Sequence, residues 1–328
     1  MATNIPVCLF DSVYSVAELA DLIMDSLGLS ALVALSYTSK LRYFRVQDYL
    51  RLKLTKIFAS FQLGRDDLMT TLLSTRAFII GSIALKAVTP AVMPITCDNL
   101  DIVVPLSETF TFEAWLTSIS HGYEWTTPSH TNCIPFLKCD SFFRIIDGQI
   151  MTVNLLIVSN EFQAHELLFY SSNTASMNMI THSSIFTAYP TLLDLKLVVQ
   201  NHSINMIGMG PAALGHPAMV HQIKIDQDNN KKAEQRGFTL LPESTSHWNE
   251  YAACQCMHLS ACPLTIRNMN DTMCSWLPLL TDREYADERI KGPHQRVPPV
   301  IWRLADVGAR VPGFSFCLTK ERVLKMRD

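Results

Sequence analysis

A change in hydrophobic period constrains this chain more than any other feature. Val16, Leu19, Ala20, Leu22, Ile23 and Leu27 recur at helical spacing until Gly28 interrupts them, and Ser15-Val-Ala-Glu18 has the form of a capping box. Ser30 is placed to cap a second helix carrying Leu32, Val33 and Leu35. A third helix from about Arg45 sets Val46, Tyr49, Leu50, Leu54, Ile57, Phe58 and Phe61 on one face. Residues 5 to 61 therefore read as an all-helical unit. Gly64-Arg-Asp-Asp67 marks its end, with Asp66 or Asp67 as the cap of a short helix through Leu73. After Ala77 the period shortens: Ala77 to Ile80 is a buried strand, Gly81-Ser82 a tight turn opening a helix through Val88, and Leu100 to Val104 a second strand. Phe110 to Ser120 has helical spacing. Phe142 to Ile146 and Gln149 to Val158 flank Asp147-Gly148, a strong short-range hairpin signal. Helices followed by strand-turn-helix units place the chain in the α+β class, built on a mixed sheet.

Beyond the hairpin, Ala164 to Tyr170, Thr174 to His182 and Thr191 to Val199 read as short helices covering one sheet face. Gly208 to Pro217 reads as a loop, followed by a polar helix through Arg236-Gly237. The remainder is rich in Cys, Pro, Trp and Arg and has little periodicity. With 328 residues, room for about two domains, the chain divides into a helical unit over 1–64, an α/β core over 65–240 and an irregular C-terminal extension over 241–328.

Composition removes several classes of function. The balance of 27 Lys plus Arg against 30 Asp plus Glu lacks the positive excess behind generic nucleic-acid binding, so such a partner is not expected. Leu167 to Leu193 and Leu197 to Ile223 hold no Asp, Glu, Lys or Arg. The first is broken by Pro190 and many Ser, Thr and Asn, the second by His202, Gly208, Gly210 and Gly215, so no membrane span is expected. The first basic residue is Lys40, too late for a secretory n-region. Nine cysteines, an odd number, then read as reduced thiols, and the expected location is cytoplasmic or nuclear.

Phe78-Ile-Ile-Gly81-Ser82, followed by Asp98-Asn99-Leu100-Asp101-Ile-Val-Val-Pro105, resembles the signature of the nucleotidyltransferase fold. The resemblance implies a Gly-Ser turn whose helix N-terminus accepts a nucleotide phosphate. It also implies carboxylates two residues apart on the next strand that hold Mg²⁺, with a third carboxylate on a neighbouring strand. Here the pattern departs. Asn99 stands two residues before Asp101, Asp98 falls toward the opposite strand face, and the third position is matched by Asn154 in Met151-Thr-Val-Asn-Leu-Leu-Ile157. Candidate nucleotide-binding residues are thus Gly81, Ser82, Asn99, Asp101 and Asn154, with Asp98 and Asp101 the candidate catalytic pair. With Phe169-Tyr-Ser-Ser-Asn-Thr-Ala-Ser-Met-Asn-Met-Ile180, Ala188-Tyr-Pro190 and Arg236-Gly-Phe238, the core resembles a family of uncharacterised fungal proteins with a degenerate nucleotidyltransferase-like domain, many of which begin with an F-box.

Ile5-Pro6, Leu29-Ser-Ala-Leu-Val-Ala-Leu-Ser-Tyr-Thr-Ser-Lys-Leu-Arg42 and Val46-Gln-Asp-Tyr-Leu50 are similar to such an F-box. That likeness implies docking on a Skp-type adaptor of a cullin-RING ubiquitin ligase through Pro6, Leu29, Leu32, Leu35 and Leu41, with a second, recruited protein as partner. The alternative is an internal helical cap on the core. The resulting expectation is a non-catalytic binding protein, with a Mg²⁺-dependent transferase using Asp98 and Asp101, or an interaction protein without an adaptor, as alternatives. In the extension, His247, Cys254, Cys256, His258 and Cys262, with Cys274 beyond, have ligand chemistry suited to tetrahedral Zn²⁺. Their spacing is not that of paired knuckles, so no complete four-ligand cage and no bound cofactor is expected.

Overall fold

The computed structural model describes residues 16–126, 138–159, 165, 167–201, 217–241, 267–269, 274–279 and 301–302. Among the described residues four helices come first, α1 (Ala17–Asp25), α2 (Leu29–Ser36), α3 (Lys40–Ala59) and α4 (Arg65–Thr75). In α3, Val46, Tyr49, Leu50, Leu54, Ile57 and Phe58 are buried at intervals of three and four, and Ser39 caps the helix by accepting from the Arg42 N–H at 3.3 Å. The other expected caps differ. Val16 and Gly28 hold the N-cap positions of α1 and α2 without side-chain bonds. Ser30 lies within the first turn of α2 and donates its hydroxyl to Asp194, a bond that sequence proximity could not reveal. Gly64 precedes α4, whose first turn carries Asp66 and Asp67, where their charges complement the helix dipole.

The α/β part continues with β1 (Phe78–Ile80), α5 (Gly81–Val88), β2 (Asn99–Pro105), α6 (Thr109–Leu116), β3 (Glu124–Trp125), β4 (Lys138–Ile146) and β5 (Gln149–Val158). It is followed by β6 (Asn178–Ile180), β7 (Ser184–Thr187), α7 (Pro190–Asp194), β8 (Leu197–Val199), α8 (Pro217–Gln235), β9 (Thr239–Leu241), β10 (Arg267–Asn268), β11 (Ser275–Pro278) and β12 (Ile301–Trp302). The main sheet is mixed and has eight strands in the order β11-β7-β6-β1-β2-β5-β4-β3, with β2 and β5 as its parallel pair. Asp147 and Gly148 both have positive φ, 50° and 78°, the geometry of a two-residue hairpin turn, and this turn pairs Ile146 with Gln149.

Two segments expected to be helical are strands instead. Thr174 to Ser176 forms one short 3₁₀ turn, after which Asn178 to Ile180 extends the sheet by pairing Ile180 with Ile79 of β1. Pairing with the adjacent β7, Asn178 with Thr187 through Ile180 with Ile185, and with the edge of β1 outweighs local propensity there. Likewise α7 stops at Lys196, whose φ of 54° is left-handed, and Leu197 to Val199 pairs in parallel with β9. The C-terminal extension, expected to be irregular, supplies the edge strand β11 to the main sheet.

Alternation along the strands gives the sheet two different faces. Ile79, Leu100, Ile102, Val104, Val153 and Leu155 share one continuous core with Met24, Leu29, Leu32, Leu50, Phe58 and Leu68 of the N-terminal helices. Phe78, Val103 and Val158 belong to a second core with Met177, Met179, Phe186 and Tyr189. Polar bonds reinforce the first union. Gln47 and Arg51 of α3 donate to the carbonyls of Pro278 and Leu279 at 3.3 and 2.7 Å, and Tyr123 Oη donates to the Phe61 carbonyl at 2.8 Å. Lys53 Nζ, buried in α3, donates to the carbonyls of Ala87 and Thr89 at 3.1 and 2.6 Å, satisfying the end of α5. The helices thus pack as a cap on the sheet rather than standing apart from it. Among the described residues, no helix is long and apolar enough to cross a membrane.

Candidate functional site

The residues singled out around Gly81 and Asp101 do converge. Ile80 of β1 pairs with Asp101 of β2, Asp101 with Asn154 of β5, and Asn154 with Ser141 of β4, so one row across four strands brings a carboxylate, an amide and a hydroxyl to the same face. Asn99 joins them from the same side of β2. Asp101 Oδ1 accepts from Asn99 Nδ2 at 2.7 Å and from Asn154 Nδ2 at 2.8 Å. Ser141 Oγ donates to Asn154 Oδ1 at 2.8 Å, which orients the Asn154 amide so that its nitrogen faces the carboxylate.

Gly81 closes the other side of Asp101. Its φ of +72° is left-handed, and a Cβ at this position would collide with Asp101 Oδ2. Both reasons require glycine where β1 turns into α5. Ser82 lies in the first turn of α5 and accepts from Arg236 Nη2 at 2.6 Å. Burial raises the pKa of Asp101. The bonds from Asn154 and Asn99, and then the charge of Lys232, act in the opposite direction without overcoming it. Cys97 nearby is also pushed up by burial.

This donor set does not fit Mg²⁺. A hard cation needs oxygen ligands, but the two positions flanking Asp101 present N–H groups to the oxygen that a cation would take. Asp98, the remaining carboxylate candidate, precedes β2 and is exposed, with its backbone carbonyl accepting from the Thr152 N–H at 3.1 Å. Among the described residues, no group of three or more His, Cys, Asp or Glu side chains could hold a metal ion. His247, Cys254, Cys256, His258 and Cys262 lie outside the described residues, while the Cys274 thiol contacts the Ala188 carbonyl at 3.8 Å.

The adaptor-docking candidates separate. Leu29, Leu32 and Leu35 are buried at 1%, 1% and 9% exposure inside the shared core, whereas Leu41 is 80% exposed. Pro6 lies outside the described residues.

Two participants escaped the sequence reading. Ser141 could have been found, because counting outward from the Asp147-Gly148 turn sets it opposite Asn154. Arg236, 154 residues from Ser82, left no local signal of this contact. No family model matches the chain, and no curated protein shows detectable similarity to it.

Proposed function

We propose that the nucleotidyltransferase-like core of this protein is a non-catalytic binding module, without a working metal site. The observation that carries this reading is the pair of amide donors on Asp101 Oδ1, at 2.7 and 2.8 Å, standing at the positions where such a site needs oxygen ligands. Asp101 then holds β2 to β5 through hydrogen bonds, and Arg236 ties α8's end to the Gly-Ser turn, so the former reaction site is a structural junction. Burial of Leu29, Leu32 and Leu35 favours the N-terminal helices as an internal cap rather than as an adaptor-docking module, and leaves Leu41 as the exposed member of that set. The chain's partner is accordingly a protein other than a Skp-type adaptor.

Calorimetry of the full chain with a nucleoside triphosphate and Mg²⁺ tests the first part. No Mg²⁺-dependent heat is expected, and micromolar binding abolished by Asp101→Ala would restore the enzyme reading. Co-purification of the full chain with a Skp-type adaptor tests the second part: no retention is expected, and stoichiometric retention would restore the substrate-receptor reading.

A further inference from the structure

A second polar cluster lies away from Asp101, where the turn after α6 meets the first turn of α4. His121 is buried, at 6% exposure, and both of its ring nitrogens are engaged. Nε2 is 2.9 Å from Asp67 Oδ2. Nδ1 is 2.8 Å from Ser118 Oγ, 3.2 Å from Ser120 Oγ and 3.0 Å from the Trp115 carbonyl. The Trp115 ring packs on the imidazole with centroids 4.3 Å apart, and its Nε1–H donates to the same Asp67 oxygen at 3.1 Å. Asp67 is acceptor-only when ionised, so Nε2 carries a ring proton, and Nδ1 lies between the Ser118 hydroxyl, from which it accepts in the Nε2–H tautomer, and the Trp115 carbonyl, to which it donates when the ring is doubly protonated. A carboxylate orients an imidazole, and the imidazole faces a hydroxyl at proton-transfer distance.

We propose that Ser118 is a nucleophile activated by His121 and oriented by Asp67, and that this centre cleaves small, surface-accessible carboxylic esters. It is independent of the reading of the Asp101 cluster, with which it shares no residue. Ser118 Oγ forms a bond to the ester carbonyl carbon while its proton passes to His121 Nδ1. The carbon–oxygen bond to the leaving group breaks, and that alkoxide takes the proton back from Nδ1. Water then adds to the acyl-serine by the same route and releases the acid, so that ester and water become acid and alcohol. The Trp115 carbonyl at 3.0 Å accepts the Nδ1 proton while the ring is doubly protonated, and Asp67 balances its charge. The N–H groups of His121 and Gly122 are both given to the Ser118 carbonyl, and the exposed Ser120 hydroxyl, 2.9 Å from Ser118 Oγ, is a donor close to the nucleophile for the developing oxyanion. Ile119, fully exposed beside Ser118, offers apolar surface to a short acyl chain. A hydroxyl donor on an open surface predicts a slow enzyme.

The full chain treated with a fluorophosphonate is the direct test. Ser118 Oγ displaces fluoride from phosphorus, and peptide mass spectrometry should find the adduct on Ser118. Ser118→Ala should abolish that adduct and lower p-nitrophenyl acetate hydrolysis by about tenfold or more, with the melting temperature unchanged. Asp67→Asn, whose amide oxygen still accepts from Trp115 and His121, should slow labelling by a similar factor while the fold persists. A folded wild-type chain that gains no adduct on Ser118, or a hydrolysis rate unmoved by Ser118→Ala, would overturn the proposal and leave His121 as a clasp between α4 and α6.

Discussion

The Asp101 and His121 clusters each surround one carboxylate with donors, but on frameworks of different kinds. Asp101 sits on a row of paired strands, receives two amide N–H bonds at one oxygen and has Gly81 pressed against the other. Every partner there is a side chain that neither gains nor loses a proton near neutral pH. His121 sits on a turn between a helix and a short edge strand, and its partners include two hydroxyls whose protons can point either way. One cluster is satisfied by permanent dipoles, and the other is built around an imidazole set between a carboxylate and hydroxyls. Similar inventories of polar atoms can therefore be inert or reactive, depending on whether the carboxylate's donors are amides or an imidazole.

The strongest way to break this contrast is to return oxygen ligands to the first cluster. Asn99→Asp with Asn154→Asp removes both donors and gathers three carboxylates, which should cost about 3–6 kcal/mol in cation-free buffer. Millimolar Mn²⁺ should recover most of that loss while leaving the wild-type melting temperature unmoved. A double variant indifferent to Mn²⁺ would mean that the strand row cannot shape a metal site at all.

Next in size is the support behind α5. Burial, the largest influence on Lys53, outweighs the opposing attraction of Asp25 and is aided by Lys86, taking its pKa from 10.5 to about 8. Below pH 8 both folded and unfolded chains carry this proton, so the full burial cost is present. Between pH 8 and 10.5 the unfolded chain holds a proton that the folded chain has shed, and stability should rise with pH by about 3 kcal/mol. Denaturant titrations across that window should show the gain in wild type and not in Lys53→Met. An identical slope in both proteins would place the proton elsewhere.

The smallest and sharpest comparison uses two glycines with positive φ, one beside each cluster. Gly81→Ala adds a collision with Asp101 to its left-handed strain and should cost about 2–3 kcal/mol. At Gly122, φ +60°, a Cβ would meet Arg144 at an ordinary 3.8 Å, so Gly122→Ala should cost about 1 kcal/mol. Equal melting shifts for the two variants would show that the Asp101 cluster is looser than its distances imply.

What could be read from the sequence follows from how local each interaction is. The Gly81-Ser82 turn, the Asp147-Gly148 hairpin and the pairing of Asp101 with Asn154 depend on residues close in sequence or on strand register, and each was legible. The strand at 197–199 was not, because its partner Leu240 is supplied by a distant element, and the strand at 178–180 was not, although it pairs with the adjacent strand 184–187 as well as with distant Ile79. The leucines of α2 had the correct period, but spacing does not reveal whether an apolar face meets a sheet of the same chain or another protein. No Ser-His-Asp arrangement is recognisable in the sequence for a similar reason: the Asp67 carboxylate lies on α4 and reaches the His121 imidazole only after α4 and α6 pack together.

The bonds from Gln47 and Arg51 to the carbonyls of Pro278 and Leu279 span 231 and 228 residues of chain. During synthesis the first helices leave the ribosome long before those carbonyls exist, and for that interval α3 lacks these partners. Vectorial folding from the N-terminus can form helices early, but the helix face that meets the edge strand must wait until Pro278 and Leu279 have emerged. At typical synthesis rates of about 5–20 residues per second that wait is roughly ten seconds or more, an interval in which a chaperone could hold the exposed face.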